Sequence, residues 1–278
     1  GVARPGAKVE LYDETGMVDS TTTDASGQYS FTGLTAAKRW VRVVSSTVTS
    51  SRSGYVAGLI PIQTFRTDAT TGTAVPVTDK VGGEIPHEID APVNTTGATV
   101  ATLNAVPGQE VHALTFTAAT ASITDIDFGF NFSTVVNTND QGQGSLRQLI
   151  HNANALDNAG LAQDGLPAGI ETSVFEIPTT DPDYAAAPLA FTITPDSAYV
   201  AITDPARVDG STQAQHSSEG RPVIELSGAT AGAVRGLSIT ASGSEVRGLV
   251  INRFLNGIAL TGGSGITIAG NYLGTDVT

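Results

Sequence analysis

Asp204, Glu225 and Glu245 stand 21 and 20 positions apart, close to the interval at which short β-type runs recur in the same part of the chain. Carboxylates presented once per turn of a repeating fold can serve as acid and base on a glycosidic bond, or gather calcium. Arg235 and Arg247 follow the same phrase, Val-Arg-Gly-Leu, and an Arg in that place could act as a lyase base or hold an acidic sugar. The local contexts argue against a shared ladder. Asp204 precedes Pro205, Glu225 lies inside Val223-Ile224-Glu225-Leu226, and Glu245 follows a Gly-Ser turn, so coincidence is the preferred reading, with both Arg residues solvated.

The remaining reactive side chains are scattered. His87, His112, His151 and His216 lack metal-ligand spacing, and there is no nucleophile elbow, phosphate loop or dinucleotide fingerprint. Cys is absent, which removes disulfides, thiolate metal sites and Cys nucleophiles together. Asp13, Asp19 and Asp24 read as turn and surface charge in preference to calcium ligands. The expectation is therefore no assignable catalytic, cofactor or metal residue, with calcium allowed but without a place.

The elements that would position such groups are β-strands. Val246-Arg247-Gly248-Leu249-Val250-Ile251 matches Ile268-Ala269-Gly270-Asn271-Tyr272-Leu273 at an offset of 22, and Leu237/Ile239 matches Ile258/Leu260 at 21. Val234-Arg235-Gly236-Leu237-Ser238-Ile239 reads as a further copy. Short apolar runs separated by Gly, Ser and Asn at that interval predict one coil of a parallel β-helix per repeat. Gly236, Gly248 and Gly270 would serve tight corners, and Asn252, Asn256 and Asn271 would sit at turns.

Composition sets the class. The 278-residue chain is 40% hydrophobic but only 15% charged, against about a quarter in average globular proteins, and it holds 31 Gly. Small polar and β-branched residues favour strands and turns. A net charge of -13 argues against nucleic acid as a partner, since phosphate binding needs a basic surface. No apolar run approaches the roughly 20 residues of a membrane span. The chain opens without Met in the middle of a β-type pattern and reads as part of a longer or processed polypeptide.

Residues 1–46 read as a small β-domain: Ala7, Val9 and Leu11 alternate with Lys8, Glu10 and Tyr12, a turn follows at 13–16, and a second turn at 24–27 leads into a strand bearing Tyr29 and Phe31. Residues 47–132 read as a second β-region or an extension of the first, broken by prolines and closing on a strand in which Ile126, Phe128, Phe130 and Phe132 share one buried face. Residues 133–278 begin with a predicted helix over 145–156, with Ser145 as its cap, Gln148 reaching back, and Leu146, Leu149, Ile150 and Ala153 as an apolar stripe.

The run Thr23-Asp24-Ala25-Ser26-Gly27-Gln28-Tyr29-Ser30-Phe31 with Leu34 resembles Cna-B and SdrD-B-like, or carboxypeptidase-regulatory-like, β-sandwich modules, which implies a spacer on an exported protein. The expected first strand precedes Gly1 or is missing, and Lys8 as an isopeptide donor lacks a matched Asn. The stretch 137–148, with Gly144-Ser145-Leu146-Arg147-Gln148, resembles the segment that opens β-helix regions in bacterial surface proteins with a Ser-Leu-Arg-Glu/Gln signature. The likeness extends through Val208-Asp209-Gly210-Ser211-Thr212-Gln213 and Gly270-Asn271-Tyr272-Leu273-Gly274-Thr275-Asp276. It implies an all-β chain: a β-sandwich module or modules followed by a right-handed parallel β-helix whose N-terminal end is capped by the 145–156 helix.

The function so implied is a non-enzymatic structural or adhesive component of a bacterial cell-surface or extracellular assembly, filamentous if the ends stack. The partners would be further copies or other surface proteins, by strand addition at the N-terminal module, with glycans as an alternative. The competing expectation is a polysaccharide lyase or hydrolase on the same scaffold, carried by Asp204, Glu225, Glu245 and Arg247.

Overall fold

The computed structural model describes residues 2–67, 73–76, 112–115, 124–163 and 165–277. Of these, 10% are helical and 34% lie in strands, so the chain is all-β in class. His87 lies outside the described residues. The chain divides into two compact units: residues 1–51 with 58–131, and residues 52–57 with 132–278. Among the described residues no helix is long and apolar enough to cross a membrane.

In the first unit, β1 (Lys8–Asp13), β2 (Gly16–Thr22), β3 (Lys38–Val43) and β6 (His112–Thr115) form an antiparallel sheet in the order β2-β1-β3-β6. A second antiparallel sheet joins β4 (Ile62–Thr67), β5 (Ala74–Pro76) and β7 (Phe128–Asn131) in the order β5-β4-β7. Val9, Leu11, Val41 and Val43 form the core of the unit, and Tyr29, Phe31, Phe128 and Phe130 pack against it. No strand is assigned at Tyr29–Phe31, yet the rings still meet edge to face at 6.0 Å, and the Tyr29 hydroxyl donates to Ile126 O.

Two expectations change here. The face of β1 that alternation assigns to solvent is also buried: Glu10, Tyr12 and Arg42 are fully covered, the Tyr12 hydroxyl donates to Glu10 at 2.6 Å, and Arg42 pairs with Glu10 at 3.6 Å. Burial of a charge demands such a partner. The aromatic face of 126–132 divides as well, because Phe132 leaves the strand and belongs to the second unit, where its ring meets Tyr55 edge-on.

The second unit is built of parallel ladders. One runs β12 (Leu189–Ile193), β14 (Ile224–Ser227), β17 (Leu249–Asn252), β20 (Tyr272–Leu273), with β11 (Tyr184–Ala186) antiparallel on its outer edge. Another runs β9 (Glu171–Thr172), β13 (Ala206–Asp209), β16 (Glu245–Arg247), β19 (Thr267–Ala269). A third pairs β15 (Arg235–Ile239) with β18 (Asn256–Leu260), and a small one pairs β8 (Thr134–Val135) with β10 (Val174–Phe175). The chain visits the three larger ladders in turn as β13, β14, β15, again as β16, β17, β18, and enters a third round with β19 and β20.

Side chains in register stack into columns. Phe191, Ile224 and Leu249 form one, Ile193, Leu226 and Ile251 another, and Val208 with Val246 a third, all within a single buried cluster. The helix α1 (Leu146–Ala155) adds Leu146, Leu149, Ile150 and Ala153 to that cluster. Each large aliphatic side chain so buried contributes about 1.5 to 3 kcal/mol, which fixes this face of α1 inward. Ser145 Oγ accepts from Gln148 N at 3.1 Å, as the cap pattern predicts, while the Gln148 side chain runs forward to Asn152.

Candidate functional site

The register decides what the acidic residues can do. Glu225 lies in β14 opposite Thr192 and Val250, whereas Glu245 lies in β16 opposite Arg207 and Thr267, so the two belong to different ladders. Asp204 precedes β13 and meets neither. The equal spacing misleads because coil length varies: Arg207 pairs with Glu245, 38 positions on, while Glu245 pairs with Thr267, 22 positions on. A stacked acidic ladder is therefore absent. Arg235 and Arg247 are not equivalent either, since β15 pairs with β18 and β16 with β13 and β19.

Each carboxylate is engaged. Glu225 is largely buried and accepts from Asn252 Nδ2 at 2.6 Å, from Arg253 at 3.1 Å and from the Thr192 hydroxyl at 3.1 Å. Arg253 continues to Asp276 at 2.6 Å, and Asn252 donates to Thr275 O. Glu245 is held between Arg207 and Arg247, the Arg207 Nε bond measuring 2.6 Å. The Arg207–Glu245 and Arg253–Glu225 pairs tie one coil to the next, whereas Arg247 and Glu245 lie two residues apart on the same strand, β16. The oxygens of both carboxylates are thus occupied by donors from the protein itself.

Asp204 differs. It accepts from Asn158 Nδ2 at 2.6 Å, and burial, with the nearby negative charge of Asp157, pushes its carboxyl above the ordinary aspartate range. Asp157 moves the other way, because the Ala159 backbone N–H and the Ser53 hydroxyl donate to it. These groups adjoin a network that the sequence did not reveal. Arg52 donates to Glu171 at 2.6 Å, to Leu156 O and to Asn158, while Ser133 donates to the other Glu171 oxygen. Arg52 thereby satisfies carbonyls left over at the C-terminal end of α1, where a cation also suits the helix dipole. Nothing in the Ser-rich run around Arg52 announces that role.

The Ser-Leu-Arg-Gln phrase is explained by structure. Arg147 pairs with Asp140 at 2.6 Å, donates to Ser197 O and Ala198 O, and stacks on the Tyr199 ring at 4.8 Å. Burial keeps the Tyr199 phenol neutral well above its usual pKa. At the coil corners, Asn271 accepts from Leu249 N and donates to Val246 O, straddling Gly248 in the preceding coil. Two glutamines imitate strands: Gln163 makes both bonds to the Thr172 backbone, and Gln213 both bonds to the Ile177 backbone.

Other candidates fall to local roles. Lys8 Nζ donates to Ser20 Oγ at 2.7 Å, which gives it a neighbour other than an Asn carboxamide. Asp13 accepts from Thr15 and Asp24 from Ser26 and Gln28 at turns, whereas Asp19 is exposed within β2 and accepts from the Ser20 N–H. His151 is exposed on α1, and His216 lies in the short helix α2 (Ala214–Glu219). Among the described residues no group of three or more His, Cys, Asp or Glu is placed to hold a metal ion. Among the described residues a groove of about 390 Å³ is lined by Phe254, Ile258, Leu260, Ile268 and Leu273 together with Arg253. Asn252 and Asn256 also line it, so its walls mix apolar and polar side chains, and they carry no carboxylate. No family model, curated protein or solved structure matches this chain.

Proposed function

We propose that this chain is a non-enzymatic structural or adhesive part of an exported bacterial assembly at the cell surface or outside the cell. In this reading residues 133–278 form a right-handed parallel β-helix whose first coil is covered by α1, and the first unit contains a Cna-B-like spacer module. The observation that carries the proposal is the pairing of the acidic residues: Glu225, with Arg253, and Glu245, with Arg207, lie on separate ladders and each bond joins one coil to the next. The Ser-Leu-Arg-Gln segment, the Cys-free composition and the net charge of -13 support an exported scaffold over a nucleic-acid binder.

The test is incubation of the purified chain with acidic and neutral polysaccharides, with and without calcium. The expected result is no bond cleavage and no dependence on calcium. Cleavage abolished by Glu225→Gln would replace this reading with the lyase or hydrolase alternative.

A further inference from the structure

We infer that the C-terminal end of α1 and strand β9 form a receptor site for a guanidinium group, whose built-in occupant is Arg52 on the segment 52–57. This segment groups with residues 132–278, although residues 51 and 58 on either side of it belong to the first unit. Four acceptors converge on the Arg52 side chain. Its Nε donates to Asp157 O at 3.0 Å, and one terminal nitrogen donates to Leu156 O at 2.8 Å, Asn158 Oδ1 at 3.1 Å and Glu171 Oε2 at 2.6 Å. The following residues lie against the same helix end. The Ser53 hydroxyl donates to Asp157 at 2.9 Å, Ser53 O accepts from Asp157 N, and Tyr55 meets Phe132 edge-on. A Cβ on Gly54 would run into Ala155 O, so the backbone passes this close to the helix only as Gly.

The acceptors are held in place by partners other than Arg52. Glu171 is fixed through its other oxygen by the Ser133 hydroxyl at 2.9 Å, and its backbone pairs with Ala206 in the ladder. Asn158 donates from its amide nitrogen to Asp204 and to Pro205 O, which turns Oδ1 toward the guanidinium. Leu156 and Asp157 follow the last residue of α1, where carbonyls need donors from outside the helix. A site organised in this way keeps its shape when the occupant leaves, and binds a replacement without reordering.

Charge and geometry select a guanidinium over other cations. The Glu171 side chain is fully buried, so without Arg52 it is an unpaired charge inside the protein. Asp157 and Asp204 add negative charge nearby. The site joins one carboxylate to three neutral oxygens, and a planar fork with five N–H donors reaches such a spread set, whereas an ammonium offers three donors from one point. In the intact chain the tethered side chain fills the site at an effective concentration that free guanidinium does not match.

Chemical rescue is the test. Thermal melts of the unaltered chain, Arg52→Ala and Arg52→Lys are recorded with guanidinium chloride from about 1 to 20 mM, and with sodium or ammonium chloride at equal ionic strength. Arg52→Ala should melt at least roughly 5 °C below the unaltered chain and recover roughly half of that loss or more, saturably, with guanidinium alone. The unaltered chain should not respond, and Arg52→Lys should stay destabilised. Adding Glu171→Gln to Arg52→Ala should abolish the rescue. An Arg52→Ala chain as stable as the unaltered one, no rescue, equal rescue by sodium or ammonium, a Lys variant of full stability, or rescue that survives Glu171→Gln would each overturn the inference. If Arg52→Ala is recovered unfolded, refolding from urea with and without guanidinium reads the same outcomes.

Discussion

Arg147 joins a carboxylate, three carbonyls and an aromatic face at once, and no other residue type could reach all of them. Arg147→Ala should destabilise the second unit by about 2 to 4 kcal/mol, since charge-assisted bonds and a stacked cation are lost together. Arg147→Lys should recover only part of it, as urea unfolding would measure. Asp204 gives a prediction in pH. Its folded pKa is raised, so the fold prefers the protonated form. That contribution is complete below the unfolded aspartate pKa, ~3.9, and is lost as pH rises through the folded value. Asp204→Asn keeps the acceptor for Asn158 without the charge. It should raise the melting temperature at neutral pH, with the gain vanishing in acid. The Ser-Leu-Arg-Gln phrase was legible in the sequence because its members are adjacent, whereas the partners of Arg147 at Ser197 and Ala198, 50 and 51 positions on, were not. The Arg52–Glu171 pair was not, because 119 positions separate its partners and no pattern links them.

At the level of elements, corners and edges carry the specificity. Gly248 and Gly270 both adopt left-handed φ, 64° and 62°, but a Cβ on Gly248 would lie 2.7 Å from Ser211 N, whereas one on Gly270 meets nothing within 4 Å. Gly270→Ala should cost about 1 kcal/mol, the backbone penalty alone. Gly248→Ala should cost clearly more, because the coil above must also shift, and parallel thermal melts would show the order. Gln163→Ala should expose the backbone edge of β9 and lower stability by about 1 to 2 kcal/mol, with increased aggregation as the second readout. The coil interval was readable for the last rounds, where short turns keep the offset at 21 or 22. Earlier rounds carry α2 and a short 3-10 turn between strands, which stretch the offset to 33 between Phe191 and Ile224. That inserted length broke the apparent equivalence of Asp204, Glu225 and Glu245. On β1, period-two alternation could not show that Glu10 and Tyr12 are buried, because a polar side chain with a partner across the sheet looks solvent-facing in sequence.

For the whole molecule, the account depends on residues 133–278 being a stack of parallel coils whose interior columns run from one round to the next. The Cys-free chain permits a direct trial. Ser238 and Ala259 are register partners on β15 and β18. In-register neighbours on adjacent strands lie about 4.8 Å apart, within disulfide range, whereas two residues further along the separation grows to about 8 Å, beyond it. Mild oxidation of a Ser238→Cys, Ala259→Cys variant, followed on non-reducing gels, is the measurement. The account predicts rapid, complete intramolecular cross-linking for that pair and little for Ser238→Cys with Thr261→Cys. Equal cross-linking of both pairs, or preference for the second, would contradict the parallel register on which the fold and the proposed function rest.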